Sequence, residues 1–254
     1  MKQVSLFAAM ITSCAVFAQD TTKTKAPAAF KRLLTGANIS ADYCYRILGN
    51  NDGSSSSAMI MDTRNSFERP KLGYTGGVNL CYNFSGHFGI ETGVQYSNKG
   101  YRSYFDFPDT ITDPRLILMY TAYAGPTPAK VTVTYNHVYL DVPVRIIFSC
   151  GEKNIRFVSS IGATTNILLQ ATQKSVAEYE NGDIERNTQD LQDDYKMLNI
   201  SPTISAGVDY RINDKINLRA EPTFRYGLLK IIDTPITGYL WNAGLNITCY
   251  YVIR

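Results

Sequence analysis

Residues 215–253 read KINLRAEPTFRYGLLKIIDTPITGYLWNAGLNITCYYVI, and the fold turns on how they alternate. In the first arm, Ile216, Leu218, Ala220, Pro222, Phe224, Tyr226 and Leu228 share one parity, with Asn217, Arg219, Glu221, Thr223, Arg225 and Gly227 between them. In the second arm, Tyr239, Trp241, Ala243, Leu245, Ile247, Cys249, Tyr251 and Ile253 alternate with Asn242, Gly244, Asn246 and Thr248. A side-chain period of two is the mark of a β-strand. One face is apolar and aromatic, the other charged and glycine-rich. Such a strand suits lipid on one side and a polar barrel lumen on the other.

The same alternation recurs upstream, at about Leu34–Leu48, Lys71–Phe84, His87–Tyr101, Lys130–Ser149, Asn154–Gln170 and Lys196–Ile212. With the final pair this predicts about eight strands. Between them lie long connections at 49–70, 102–129 and 171–195, a medium one at 230–237, and tight turns at Ser85-Gly86, Cys150–Lys153 and Asn213-Asp214. Long and short connections alternate, as in an outer-membrane barrel with short periplasmic turns and long extracellular loops. The expected fold is therefore all-β, a closed antiparallel transmembrane β-barrel of about eight strands, with both termini in the periplasm. Glycines inside strands, such as Gly77, Gly93, Gly162 and Gly207, lie on polar faces, where they relieve crowding in a narrow lumen.

Composition agrees. Of 254 residues 19% are charged and 18 are Tyr, and the net charge is only +3, which leaves no electrostatic footprint for nucleic acid. No apolar run reaches the ~18–20 residues of a membrane helix, but alternating strands hide their hydrophobicity from such averages. At the N-terminus, Lys2, the apolar stretch Val4–Phe17 and the small residue Ala18 form a secretory signal with cleavage expected after Ala18. The segment around Cys14 weakly resembles a lipoprotein cleavage box, the alternative outcome. Residues 1–18 are thus read as signal peptide, 19–33 as a periplasmic tail and 34–254 as the barrel.

At Tyr74–Gly77, Glu91–Gly100, Tyr139–Pro143 and Glu221–Gly227 the chain resembles the PorT-type outer-membrane β-barrel proteins of Bacteroidetes. The likeness covers about residues 70–252. It implies fold and location; it carries no active-site motif, and Asp141 stands where the family usually has Glu.

The polar faces collect Asp42, Arg46, Glu91, Asp141, Arg145, Arg156, Asp209, Arg211, Arg219, Glu221 and Arg225. Acids and arginines are mixed, and an eight-stranded barrel is just wide enough to be filled by its own side chains. The expectation is a plug of ion pairs; the alternative is a narrow conduit through gaps in it. His137, read as near the outer rim of its strand, is the one candidate for nucleophilic lipid chemistry, but no Ser or Glu is placed beside it by any motif. His87 falls at a turn. Glu178, Glu180, Asp183, Glu185, Asp190, Asp193 and Asp194 make an acidic loop without the spacing of a calcium site, read as solvated and mobile. Cys44, Cys81, Cys150 and Cys249 lack metal-site spacing, and a Cys44–Cys81 bridge is conceivable beside the plainer reading of free thiols. Aromatics such as Tyr43, Tyr45, Tyr82, Phe84, Tyr96, Trp241 and Tyr251 fit interfacial girdles. The expected role is structural or interactive, without catalytic residues, cofactor or metal. Its partners would be outer-membrane lipid and envelope proteins met through 49–70, 102–129 and 171–195, and the chain would be a monomer.

Overall fold

The computed structural model describes residues 32–106, 128–151 and 154–253. The signal peptide, nearly all of the tail and most of the 102–129 connection, including its apolar LILMYTAY, lie outside them. The described residues form nine strands: β1 (Leu33–Asn50), β2 (Glu68–Asn83), β3 (Phe88–Asp106), β4 (Lys130–Cys150), β5 (Ile155–Glu178), β6 (Ile184–Asp190), β7 (Leu198–Arg211), β8 (Ile216–Tyr226) and β9 (Ile236–Val252). Eight of them close a ring in the order β1-β2-β3-β4-β5-β7-β8-β9, with β9 returning to β1, every pairing antiparallel.

The register fixes the stagger of the ring. From Leu34 the pairing runs through Cys81, Glu91, Arg145, Gly162, Thr203, Arg225 and Asn242, and meets β1 again at Cys44, ten residues on. Strands of a closed barrel with such a shear tilt by about 35–45°. Where they coil most tightly there is no room for a side chain. A Cβ built on Gly162 would strike the Val144 carbonyl and the Arg145 backbone opposite.

The two faces separate as the alternation predicts. Ile39, Val78, Val94, Val144, Ile161 and Ile204 are exposed on the outside, while Asn38, Asp42, Thr75, Glu91, Asn166 and Glu221 are buried inside. A polar interior beneath an apolar exterior inverts a water-soluble protein and suits a bilayer, where the apolar face meets lipid. Aromatic contacts gather in two bands. One holds Tyr43, Phe224 and Trp241, with Tyr43 and Trp241 ring centroids 6.1 Å apart, and the stacked pair Tyr74–Tyr96. The other holds Phe84, Phe88 and Phe148. On β1 the bands are separated by the rise from Thr35, opposite Tyr251, to Tyr43. That is roughly 27 Å of strand before tilt, close to the height of an apolar membrane band.

Two expectations need correction. The 49–70 connection is not plain loop: helix α1 (Ser55–Phe67) fills most of it, and β2 begins at Glu68. Ser54 caps the helix by accepting from the Ser57 N–H at 3.0 Å, and Asp52 braces the cap by accepting from the Ser54 N–H. The 171–195 connection is not a mobile acidic loop. β5 continues to Glu178, turns through Gly182 with φ 87°, and pairs with β6 from Thr172↔Asp190 to Glu178↔Ile184. Of the two cysteine readings the plainer one holds, and no Cys44–Cys81 bridge forms. Cys44 pairs with Lys71 and Cys81 with Leu34, so ten residues of β2 separate the two, and all four described cysteines are free.

Candidate functional site

The lumen is layered. At the end carrying the tight turns, Leu34, Cys81, Ile147, Val158 and Tyr250 pack into an apolar cluster. At the end carrying the long connections, Tyr101, Tyr139, Leu168, Ala171, Ile231 and Leu240 form another. Ile231 reaches it because residues 228–235 fold back into the mouth: the Leu228 N–H donates to the Ile200 carbonyl and the Ile231 N–H to the Gly238 carbonyl. Between the clusters lie the charges.

Glu91 is the hub near the turn end. It accepts from the Arg145 guanidinium and the Tyr250 hydroxyl, and Arg219 Nη1 lies 3.3 Å from its second oxygen. Arg219 also meets Asp209 at 3.4 Å and rests over the Tyr250 ring at 4.6 Å. Arg145 continues to Ser160 at 3.3 Å and towards Glu221 at 3.8 Å, and Glu221 accepts from Ser205 at 2.9 Å. These side chains come from β3, β4, β5, β7, β8 and β9, so the network crosses the full lumen. Higher up, Asp42 accepts from Ser40 at 2.6 Å and Thr75 at 2.5 Å, with Arg225 3.7 Å away. Asp141 accepts from Ser97 at 2.8 Å and Asn166 at 2.6 Å and pairs with Lys99 at 3.0 Å. Buried charges are tolerable only when paired and hydrogen-bonded in this way.

At the mouth, Arg46 Nε donates to Glu68 at 2.5 Å and its Nη1 to Asn65 at 2.6 Å, while Arg64 of α1 donates to the other Glu68 oxygen at 2.7 Å. One carboxylate thus ties the helix to the barrel wall. The same region encloses a cavity of about 220 Å³ lined by Arg46, Arg64, Tyr101, Tyr135, Tyr195, Ile231 and their neighbours. Burial pushes the Tyr195 phenol up to about 12, so it stands there as a neutral hydroxyl.

Of the residues singled out from sequence, Asp42, Arg46, Glu91, Asp141, Arg145, Asp209, Arg219, Glu221 and Arg225 are buried in the lumen. Arg156 and Arg211 are only partly buried, at the turn end. Arg156 donates to the Gly86 carbonyl at 2.8 Å and Ser149 at 2.7 Å rather than joining the hub. Sequence reasoning missed Glu68, Lys71 and Lys99. Glu68 lies beyond the register shift at Pro70/Tyr74, where parity is hard to assign, whereas Lys71 shares the parity of Thr75 and was legible. Lys71 reaches Asn98 and Asn136, both at 2.5 Å. Lys99 likewise shares the parity of Glu91 and Gln95 and was legible. His137 does not stand at an accessible rim. It is 1% exposed, turned inward beside the irregularity at Val138/Tyr139, with its ring 4.5 Å edge-on to Tyr195. No Ser or carboxylate is hydrogen-bonded to either ring nitrogen. The acidic residues of 178–194 form no group able to hold a metal among the described residues.

Among solved structures the chain is similar to Neisserial surface protein A at 10% identity and TM-score 0.38, over 85% of this chain and 95% of that one. It is similar to the outer membrane protein OprG of Pseudomonas aeruginosa at 8% identity and TM-score 0.37, over 86% and 95%. The N-terminal β-barrel domain of Pseudomonas aeruginosa OprF matches at 15% identity and TM-score 0.30, over 85% and 96%. No curated protein matches the chain in sequence. The profile of the outer membrane protein beta-barrel domain matches residues 17–233, and the chain belongs to that family of Gram-negative outer-membrane barrels.

Proposed function

We propose that this barrel is a closed outer-membrane scaffold whose work is done by the structures at its loop end. The observation that carries this reading is the Glu91 hub: Arg145, Arg219 and Tyr250 converge on one carboxylate from opposite walls. Apolar clusters stand above and below it. An ion crossing the lumen would have to part these buried ion pairs, a cost of several kcal/mol.

In this reading the termini and tight turns face the periplasm. α1 and the β5–β6 hairpin face outward and meet envelope partners, and the barrel is a monomer. The motif likeness to PorT-type proteins supports a role in the cell envelope without naming a partner. Chemistry on lipid finds no support at His137, which is buried under Tyr195.

Planar-bilayer recording of the purified protein at neutral pH tests the closed lumen. The expected trace is flat; steady single-channel current from the wild-type chain would instead establish a conduit.

A further inference from the structure

The cavity at the loop-end mouth is lined by both charged and apolar side chains. Arg46 and Arg64 line it together with Leu48, Ile231, Ile232 and Ile236 and the rings of Tyr101, Tyr135 and Tyr195. Arg46 is 2% exposed, and its Nε and Nη1 are engaged by Glu68 and Asn65. Its Nη2 is buried without a hydrogen-bond partner. That nitrogen has no accessible surface, and the guanidinium lies over the Tyr45 and Tyr101 rings at 5.1 and 5.9 Å. The charge count points to an anionic ligand, because Glu68 is shared between Arg46 and Arg64 and leaves one positive charge uncompensated.

From this we infer that the mouth binds a small amphipathic monoanion, a carboxylate with a compact aromatic or branched apolar body. The carboxylate faces the Arg46–Arg64 pair from the more open Arg64 side; the body lies against the isoleucines and the stacked pair Tyr101–Tyr135, whose ring centroids are 4.6 Å apart. The volume sets the size. At about 220 Å³ the cavity is smaller than the pockets that hold drug-sized molecules, which begin near ~300 Å³. Arg64 and the exposed Thr234 stand at the rim, giving the ligand a way in from the loop side.

The test uses 3-phenylpropanoate, its neutral analogue 3-phenylpropanamide and inorganic phosphate. Each is titrated into the full-length mature protein in detergent by calorimetry at low ionic strength. The acid is expected to bind with Kd on the order of 0.1–1 mM, and the amide about tenfold or more weaker, because it cannot make a charge-assisted pair. R46Q is expected to abolish the preference for the acid. Should R46Q fail to fold, R64Q, at a side chain already 32% exposed, serves in its place and is expected to narrow the preference. Equal binding of acid and amide, no heat from either, or full competition by phosphate would each overturn the proposal. None of these outcomes bears on whether the lumen conducts.

Discussion

Arg46 Nε and Glu68 Oε2 stand 2.5 Å apart with both side chains almost wholly buried, which joins the inner wall of β1 to the residue where α1 ends and β2 begins. Arg64, one helical turn before Glu68, completes the joint from the helix side. α1 shows little apolar periodicity of its own, and short helices of that kind are held by tertiary contact rather than propensity. Glu68→Gln is therefore expected to speed amide hydrogen exchange across Ser55–Phe67 on the order of tenfold, leaving the ring strands protected. Unchanged exchange in α1 would mean that this carboxylate does not hold the helix.

Glu91 should matter to the whole barrel. Its removal leaves the Arg145 and Arg219 guanidiniums facing each other without the carboxylate they share. Breaking a buried pair in this way costs roughly 3–5 kcal/mol. Urea unfolding of Glu91→Ala in detergent micelles is expected to show a loss of that size; a loss under about 1 kcal/mol would show that the hub adds little.

Asp52 gives a pH signature at the loop end. The Ser54 N–H bound to it holds its carboxyl below the usual value of 3.8, with help from the hydroxyls of Ser57 and Ser54. Because the folded pKa lies below the unfolded one, its contribution to the cap is fully present above the unfolded value and is lost as pH falls through the folded value. Exchange protection of the first turn of α1 should thus stay flat from neutral pH down to about 4, and weaken below it. In Asp52→Asn that acid-dependent step should vanish.

Cysteine labelling decides orientation. Cys150 is exposed at a tight turn, whereas Asn181 is exposed at the tip of the β5–β6 hairpin. On intact cells a membrane-impermeant maleimide should label an Asn181→Cys variant and reach Cys150 only after the outer membrane is breached. The reverse pattern would place the termini outside.

The outer face should refuse charge. Ile247 is 41% exposed and lies between Ile39 and Ala220, midway between the aromatic bands. Placing a lysine at the middle of a lipid-facing strand costs roughly 2–4 kcal/mol. Ile247→Lys is therefore expected to lose stability by that amount in liposomes. If it unfolds like the wild type, this face does not meet lipid.

Much of this was legible in the alternation of residues 215–253 and its counterparts upstream. Parity alone separates Arg219, Glu221 and Arg225 from Leu218, Phe224 and Ile247, because a strand sends successive side chains to opposite faces. The chain therefore carries in its sequence the eight ring strands, their order, the inward set of charges and the apolar exterior. It does not carry which charges meet. Glu91 finds Tyr250, 159 positions away, only because the ring closes with a stagger of ten residues. That stagger is the sum of eight registers, none of which shows in local pattern. The β1–β2 register likewise keeps Cys44 and Cys81 apart, although each lies on the inner face of adjoining strands. The helix, the β5–β6 hairpin and the inward fold of Ile231 likewise escape the pattern: α1 is held through Glu68, Ile231 by the apolar cluster at the mouth, and the wholly exposed β6 has no inner face for alternation to mark.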